Sequence, residues 1–401
     1  MSAEAPVISR SVVVAWRNAV FAVFAITGFA LATWMSRVPA VRDALGATTA
    51  EMGWVVFSIA AGSIVGLSSA SHVLAWIGSR RTIAAAVTVG AIGLSIVGLG
   101  STLSTHGVFV VIGLALLGGG MGMCDVAMNV EGAAAERSLG RTVMPLFHAA
   151  FSGGTIAGAG VGALAEWADV STAVHFATVA AAAVVAVALS VRFLHLDAMG
   201  ATVSSDEEPH PGWRERLGMW RDRRTLLIGL IVLGMAFAEG SANDWLALAM
   251  VDGHDVSNST GAVVYGVFVT AMTVGRVAGV FFLDRYGRVP VLWTTTALAA
   301  GGLLVVIFAP WAGLATAGVV LWGLGASLGF PVGMSAAADD SRTATARVSV
   351  VATIGYFAFL VGPPSIGFLG EGVGLLRALL LVFALIIVAG FATPAARERA
   401  R

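Results

Sequence analysis

Apolar residues in this chain fall into long runs broken by short polar segments, without the one-sided stripe of a soluble helix or the alternation of a surface strand. At about 1.5 Å rise per residue, roughly 20 helical residues cross a bilayer's hydrocarbon core. Twelve runs have that length, near 18–37, 52–75, 82–102, 107–131, 144–166 and 172–194, then 225–250, 260–282, 289–309, 312–336, 346–368 and 372–394. The first follows Arg10 and Arg17 as a signal peptide would, but it is too long, and eleven more follow. The pattern predicts an all-α polytopic membrane protein with twelve transmembrane helices in two six-helix halves, 1–195 and 225–401. Residues 196–224 form a linker, polar in SSDEEPHPG and then basic and amphipathic in WRERLGMWRDRR, which suits a helix on an anionic membrane surface.

Composition agrees. Of 401 residues 58% are hydrophobic and 11% charged, and the mean hydropathy is +0.89. Net charge is zero, every basic residue is arginine and no basic block occurs, so a nucleic-acid partner is not expected. The single cysteine, Cys124, allows no intramolecular disulfide, and no Cys/His cluster suggests a metal or cofactor. With both termini cytoplasmic, Arg80, Arg81, Arg137, Arg141, Arg285, Arg288, Arg342 and Arg347 fall in inner loops, and only Arg37, Arg42 and Arg377 in outer ones. The expected site is the cytoplasmic membrane.

Two segments 205 positions apart compare well. Gly118, Gly120, Gly162 and Glu166 answer to Gly323, Gly325, Gly367 and Glu371, and GALAE to GFLGE. Repeated halves of six helices are a transporter architecture with a central cavity near the bilayer midplane. The stretch GVFFLDRYGRVPVL, residues 279–292, resembles the loop motif of the major facilitator superfamily, with Gly279, Asp284, Arg285, Gly287 and Arg288 in the motif's places. The resemblance implies the major facilitator fold, with the aspartate and arginines gating the inner side by bonding across neighbouring helix ends. The first-half counterpart keeps Gly78, Arg80 and Arg81 but has Ala75 or Trp76 where the acid is expected. WMSRVPAVRDALG, GMGMCDVAMNVEGAAAERSLGRTVMPLFHAAFSGG, AEGSANDWLA and MTVGRVAGVFFLDRYGR together resemble the fucose-permease-like branch, whose name implies sugar transport with protons.

Ionisable residues inside spans are costly and mark function or interhelical locks. In the seventh span Glu239 lies about 21 Å from Thr225, close to the midplane; Asn243 shares its face, and Asp244 is turned away toward the outer side. Glu239 and Asn243 are expected to line a watered solute cavity, the competing reading being a hydrogen-bonded lock, and Asp244 is a candidate gate or outer cap. Asp125 and Asn129 sit at i,i+4 spacing in the fourth span, with Glu131 on another face and His148 at similar depth in the fifth. A carboxylate facing an imidazole could pass a proton or form a static pair. Arg37 closes the first span, where it could pair with an outer-gate acid or snorkel, and Arg276, deep in the eighth, must find a carboxylate or carbonyls. Trp34, Trp245 and Trp322 could stack on a sugar, whereas Trp16, Trp76, Trp167, Trp293 and Trp311 are placed as interface anchors.

The expectation is a secondary transporter of a small polar solute working by alternating access with proton coupling, a sugar being the leaning. A proton-driven exporter of amphipathic compounds fits the same residues, and a transporter-like membrane sensor or enzyme is the reading of another class. No phosphate-cradling loop or nucleophile motif stands out, so the chain is not read as an enzyme. The partners expected are the solute, protons and the lipid bilayer, with the chain a monomer.

Overall fold

The computed structural model describes residues 10–104, 107–139, 143–194, 218–339 and 343–398. Its main helices are α1 Arg10–Met35, α2 Val38–Leu45, α3 Thr49–Leu99, α4 Gly107–Leu139, α5 Met144–Trp167 and α6 Thr172–Ser190. They continue as α7 Arg223–His254, α8 Asn258–Tyr286, α9 Arg288–Phe308, α10 Ala312–Ala326, α11 Gly329–Ala337, α12 Ala344–Val373, α13 Leu375–Ala378 and α14 Leu380–Ala392. Among the described residues, ten stretches are long and apolar enough to cross a membrane. One of them, Thr49–Leu103, holds two spans hinged at Gly78, and α5 supplies one more, so the chain has twelve transmembrane helices.

Local chemistry sets the turns. Gly78 and Gly287 adopt φ of 79° and 76° between successive spans, a region open to glycine at no steric cost. Asp222 caps α7 by accepting from the Thr225 amide at 2.9 Å, and Ser257 caps α8 through the Thr260 amide at 3.2 Å. Most of the linker, 196–217, lies outside the described residues, as do Arg141, Arg342 and both termini.

Two compact units form. The first holds α1 through Trp34, Ser58–Val161 and α6; the second holds Met35–Phe57, Gly162–Asp169 and the helices from α7 onward. Inside each, the repeated glycines do equivalent work. A Cβ on Gly118 would stand 2.0 Å from the Ile59 carbonyl oxygen, and one on Gly323 2.6 Å from that of Phe268, so each lets a fourth-type span cross a second-type span. Gly120 meets Ala86 O at 2.4 Å and Gly325 meets Thr295 O at 2.5 Å in the same way against the third-type span.

Two differences from the sequence reading matter. The run at 312–336 is broken into α10 and α11 around Ser327 and Leu328. The cause is Pro331, which lacks the N–H that would bond the Ser327 carbonyl. Trp16, expected at the membrane boundary, is fully buried and donates to Glu131 at 2.6 Å, because a buried carboxylate needs donors more than an interface needs a ring. Trp76, Trp167, Trp293 and Trp311 are exposed, as boundary rings are.

Candidate functional site

The broken tenth span creates half of the site. Arg276 of α8 donates from Nε to the Ser327 carbonyl at 3.3 Å, the acceptor that Pro331 leaves free, while its Nη2 reaches both carboxylate oxygens of Glu239 at 2.9 Å. Glu239 lies midway along α7, 16 residues after Arg223 and 15 before His254. Its side chain is 18% exposed and that of Arg276 36%, so the arginine is the more open member of the pair. A lone acid at this depth would cost about 3 kcal/mol; the pair offsets that while keeping both charges on two apolar helices. Glu239 and Arg276, treated separately in the sequence, are thus one unit.

Asn243 accepts from the Tyr265 hydroxyl at 3.4 Å, a weak bond, and the same hydroxyl lies 2.8 Å from the Met35 sulfur. Asp244 is half-buried and close enough to Tyr265 to act on it electrostatically. Trp34, Trp245 and Trp322 have no exposed surface; Trp322 packs edge-on to Phe268 at 5.4 Å. In this conformation none of the three offers a ring face to a solute. The indole N–H groups of Trp245 and Trp322 and the Ser241 hydroxyl find no hydrogen-bond partner among the described residues.

In the first unit, Asn129 bonds the Asp125 backbone carbonyl at 2.8 Å and its carboxylate at 3.2 Å. Asp125 and His148 are both exposed and interact electrostatically, and the imidazole lies edge-on to Phe24 at 5.2 Å. Glu131 on the same helix serves differently: fully buried, it accepts from Trp16 and from the Ser79 hydroxyl, which opens the second arm of α3 after Gly78. This carboxylate thus bonds beside the first-half loop, whose own sequence lacks an acid.

Where α8 gives way to α9, Asp284 is exposed and makes no hydrogen bond or ion pair among the described residues, and Arg285 lies over the Tyr286 ring at 5.6 Å. Asp339 takes the expected acceptor role instead, with Arg288 at 2.8 Å and Arg224 at 3.0 Å. It can do so because α11 ends beside the start of α9, where Ser335 also binds Arg288 at 3.0 Å.

At the opposite end, the second unit contains a clasp that the sequence did not reveal. Arg42 of α2 pairs with Asp252 at 2.5 Å, Asn258 donates to Asp43 at 3.0 Å, and Glu371 accepts the Ala50 amide at 3.3 Å. Buried Arg37 lies 2.9 Å from Glu166. Burial works against the Arg42 charge, but Asp252 and Asp43 outweigh it and hold its pKa above the ordinary value. Only VRDAL in the short α2 hinted at this, since its contacts lie some 210 positions away. Among the described residues no cluster of His, Cys, Asp or Glu could hold a metal.

The Major Facilitator Superfamily model matches residues 20–363. An uncharacterised MFS-type transporter of Yersinia pestis is 31% identical over 349 residues, 87% of each chain. The fold is similar to that of the nucleoside transporter NupG, with a TM-score of 0.75 at 15% identity over 96% of this chain and 98% of that one. It is also similar to the E. coli fucose:proton symporter FucP, with a TM-score of 0.60 at 15% identity over 97% and 100%.

Proposed function

The chain belongs to the major facilitator superfamily and is a multi-pass membrane transporter, and we propose that it moves a small polar solute across the cytoplasmic membrane by alternating access, with Glu239 and Arg276 at the solute site. The observation that carries this reading is the charged pair itself, anchored midway along α7 and with the arginine side chain as its more open member. A hydroxylated solute can accept from Arg276 and donate to Glu239, exchanging one set of charge-assisted bonds for another. The nucleoside and fucose transporters of like fold support a sugar or sugar-containing solute. Symport with protons, cytoplasmic termini and two functional halves flanking a cytoplasmic linker complete the proposal.

The test is solute counterflow and pH-driven uptake in liposomes, run with labelled sugars and nucleosides. A solute that enters through the wild type should lose binding in Glu239→Gln. Hydrolysis or group transfer by the purified protein without any flux would overturn the reading.

A further inference from the structure

We propose that Asp244 is the protonation site that controls the clasp at the outer end, the clasp closing when Asp244 holds a proton and opening when it loses it. This rests on the alternating-access reading and adds to it the group through which pH acts.

The carboxylates of the clasp and of the charged pair on α7 are engaged, and Asp255, which ends α7, is exposed to solvent. Glu239 has Arg276, Asp252 and Asp43 have Arg42, Asp43 also has Asn258, Glu166 has Arg37, and Glu371 has the Ala50 amide. Asp244 has no hydrogen bond or ion pair among the described residues. It is half-buried on α7, between Glu239 and the clasp residue Asp252, and is followed by fully or nearly fully buried Trp245, Leu246, Ala247 and Leu248.

The surroundings supply no cation. From α8, Tyr265 faces Asp244, yet its hydroxyl is engaged with the Met35 sulfur and Asn243, and Arg276 on the same helix is taken by Glu239. Arg42 and Asp43 of α2 are spent on the clasp, and Glu371 of α12 on the Ala50 amide. Helices α10, α11 and α14 carry no titratable side chain, Arg377 of α13 is exposed, and His254 at the end of α7 is bonded to the Val306 carbonyl at 2.8 Å.

An ionised carboxylate closed into this place gives up part of its hydration and receives neither cation nor donor in return. Binding a proton removes that cost. When the outer end opens and water reaches Asp244, the ionised form becomes the favoured one, so closure and uptake of one proton are linked. The sign follows: acid favours the closed clasp and alkali the open one. The ratio of open to closed molecules rises with pH by at most about tenfold per unit, as one proton dictates.

The experiment measures the distance between spin labels on cysteines at Ala44 in α2 and Val263 in α8, both exposed. It uses the full chain in nanodiscs, in a Cys124→Ala background, from pH 5 to 9. The wild type should gain a long-distance population as pH rises, Asp244→Asn should stay short throughout, and Arg42→Ala should be long at every pH. A pH response that survives Asp244→Asn overturns the proposal, whether or not His254→Gln abolishes it. A wild type without pH response, while Arg42→Ala still opens, overturns the proton site and leaves alternating access standing. A short distance in Arg42→Ala at all pH values removes both. If Asp244→Asn does not fold, Asp244→Glu should keep the response with a displaced midpoint, and an unmoved midpoint overturns the assignment.

Discussion

Glu239 and Arg276 stand 37 positions apart, and each neutralises a charge that apolar helices could not carry alone. Removing one partner leaves the other uncompensated; removing both restores a neutral interior. Glu239→Gln and Arg276→Gln should therefore each lower stability, while the double variant recovers part of the loss. The expected coupling is about 1–3 kcal/mol, toward the lower end because Arg276 is 36% exposed. Thermal unfolding of the four proteins in detergent measures it, and additive losses would mean that the pair is not a unit. Trp16 gives a second case: Trp16→Phe keeps the ring and removes the N–H from buried Glu131. The expected loss is about 1–3 kcal/mol, read from chemical unfolding, whereas an interface ring would tolerate the change. The depth of Glu239 and the i,i+4 pairing of Asp125 with Asn129 were legible in the sequence because helix geometry fixes both. The partners of Glu239, Glu131 and Arg37 were not, because they come from helices whose rotations a single sequence does not encode.

The twelve spans were legible for the same reason that they form: a bilayer demands runs of about 20 apolar residues whatever their packing. The break between α10 and α11 was hidden, since its apolar content is continuous across SLGFP and only Pro331 signals it. That break has a consequence for the site. Pro331→Ala would supply the missing N–H, allow the Ser327 carbonyl to be bonded within the helix, and draw it away from Arg276. The coupling between Glu239 and Arg276 should then change while the pair itself remains, as a double-mutant cycle repeated on the Pro331→Ala background would show. An unchanged coupling would mean that the carbonyl contributes nothing to holding the guanidinium. The repeated glycines predict a paired outcome at the same scale. Gly118→Val and Gly323→Val each drive a side chain into a facing backbone carbonyl, so both should abolish a monodisperse folded protein in detergent. Gly153, where an added methyl group would meet no atom within 4 Å, should accept Ala with little change.

For the molecule as a whole, orientation in the membrane rests on where arginines lie. Two of the three arginines expected outside have acidic partners: Arg37 lies against Glu166, and Arg42 against Asp252 and Asp43. They remain few against the eight arginines expected inside, and the arginine count sets the expected orientation. The ends expected inside carry Arg285, exposed over Tyr286, with Arg137 likewise exposed at the end of α4. The expected topology thus puts Ser257, which caps α8, outside and exposed Tyr286 at the other end of the same helix inside. In a Cys124→Ala background, a membrane-impermeant thiol reagent applied to intact cells should label Ser257→Cys and not Tyr286→Cys, and permeabilisation should expose the second. The reverse pattern would invert the assignment of outer clasp and inner Asp339 network together, because both are fixed to opposite ends of α8 and its neighbours. Labelling of both in intact cells would instead indicate a leaky or misfolded population, which equal labelling of Cys124 in the parent protein would reveal, since that thiol is buried in the folded chain.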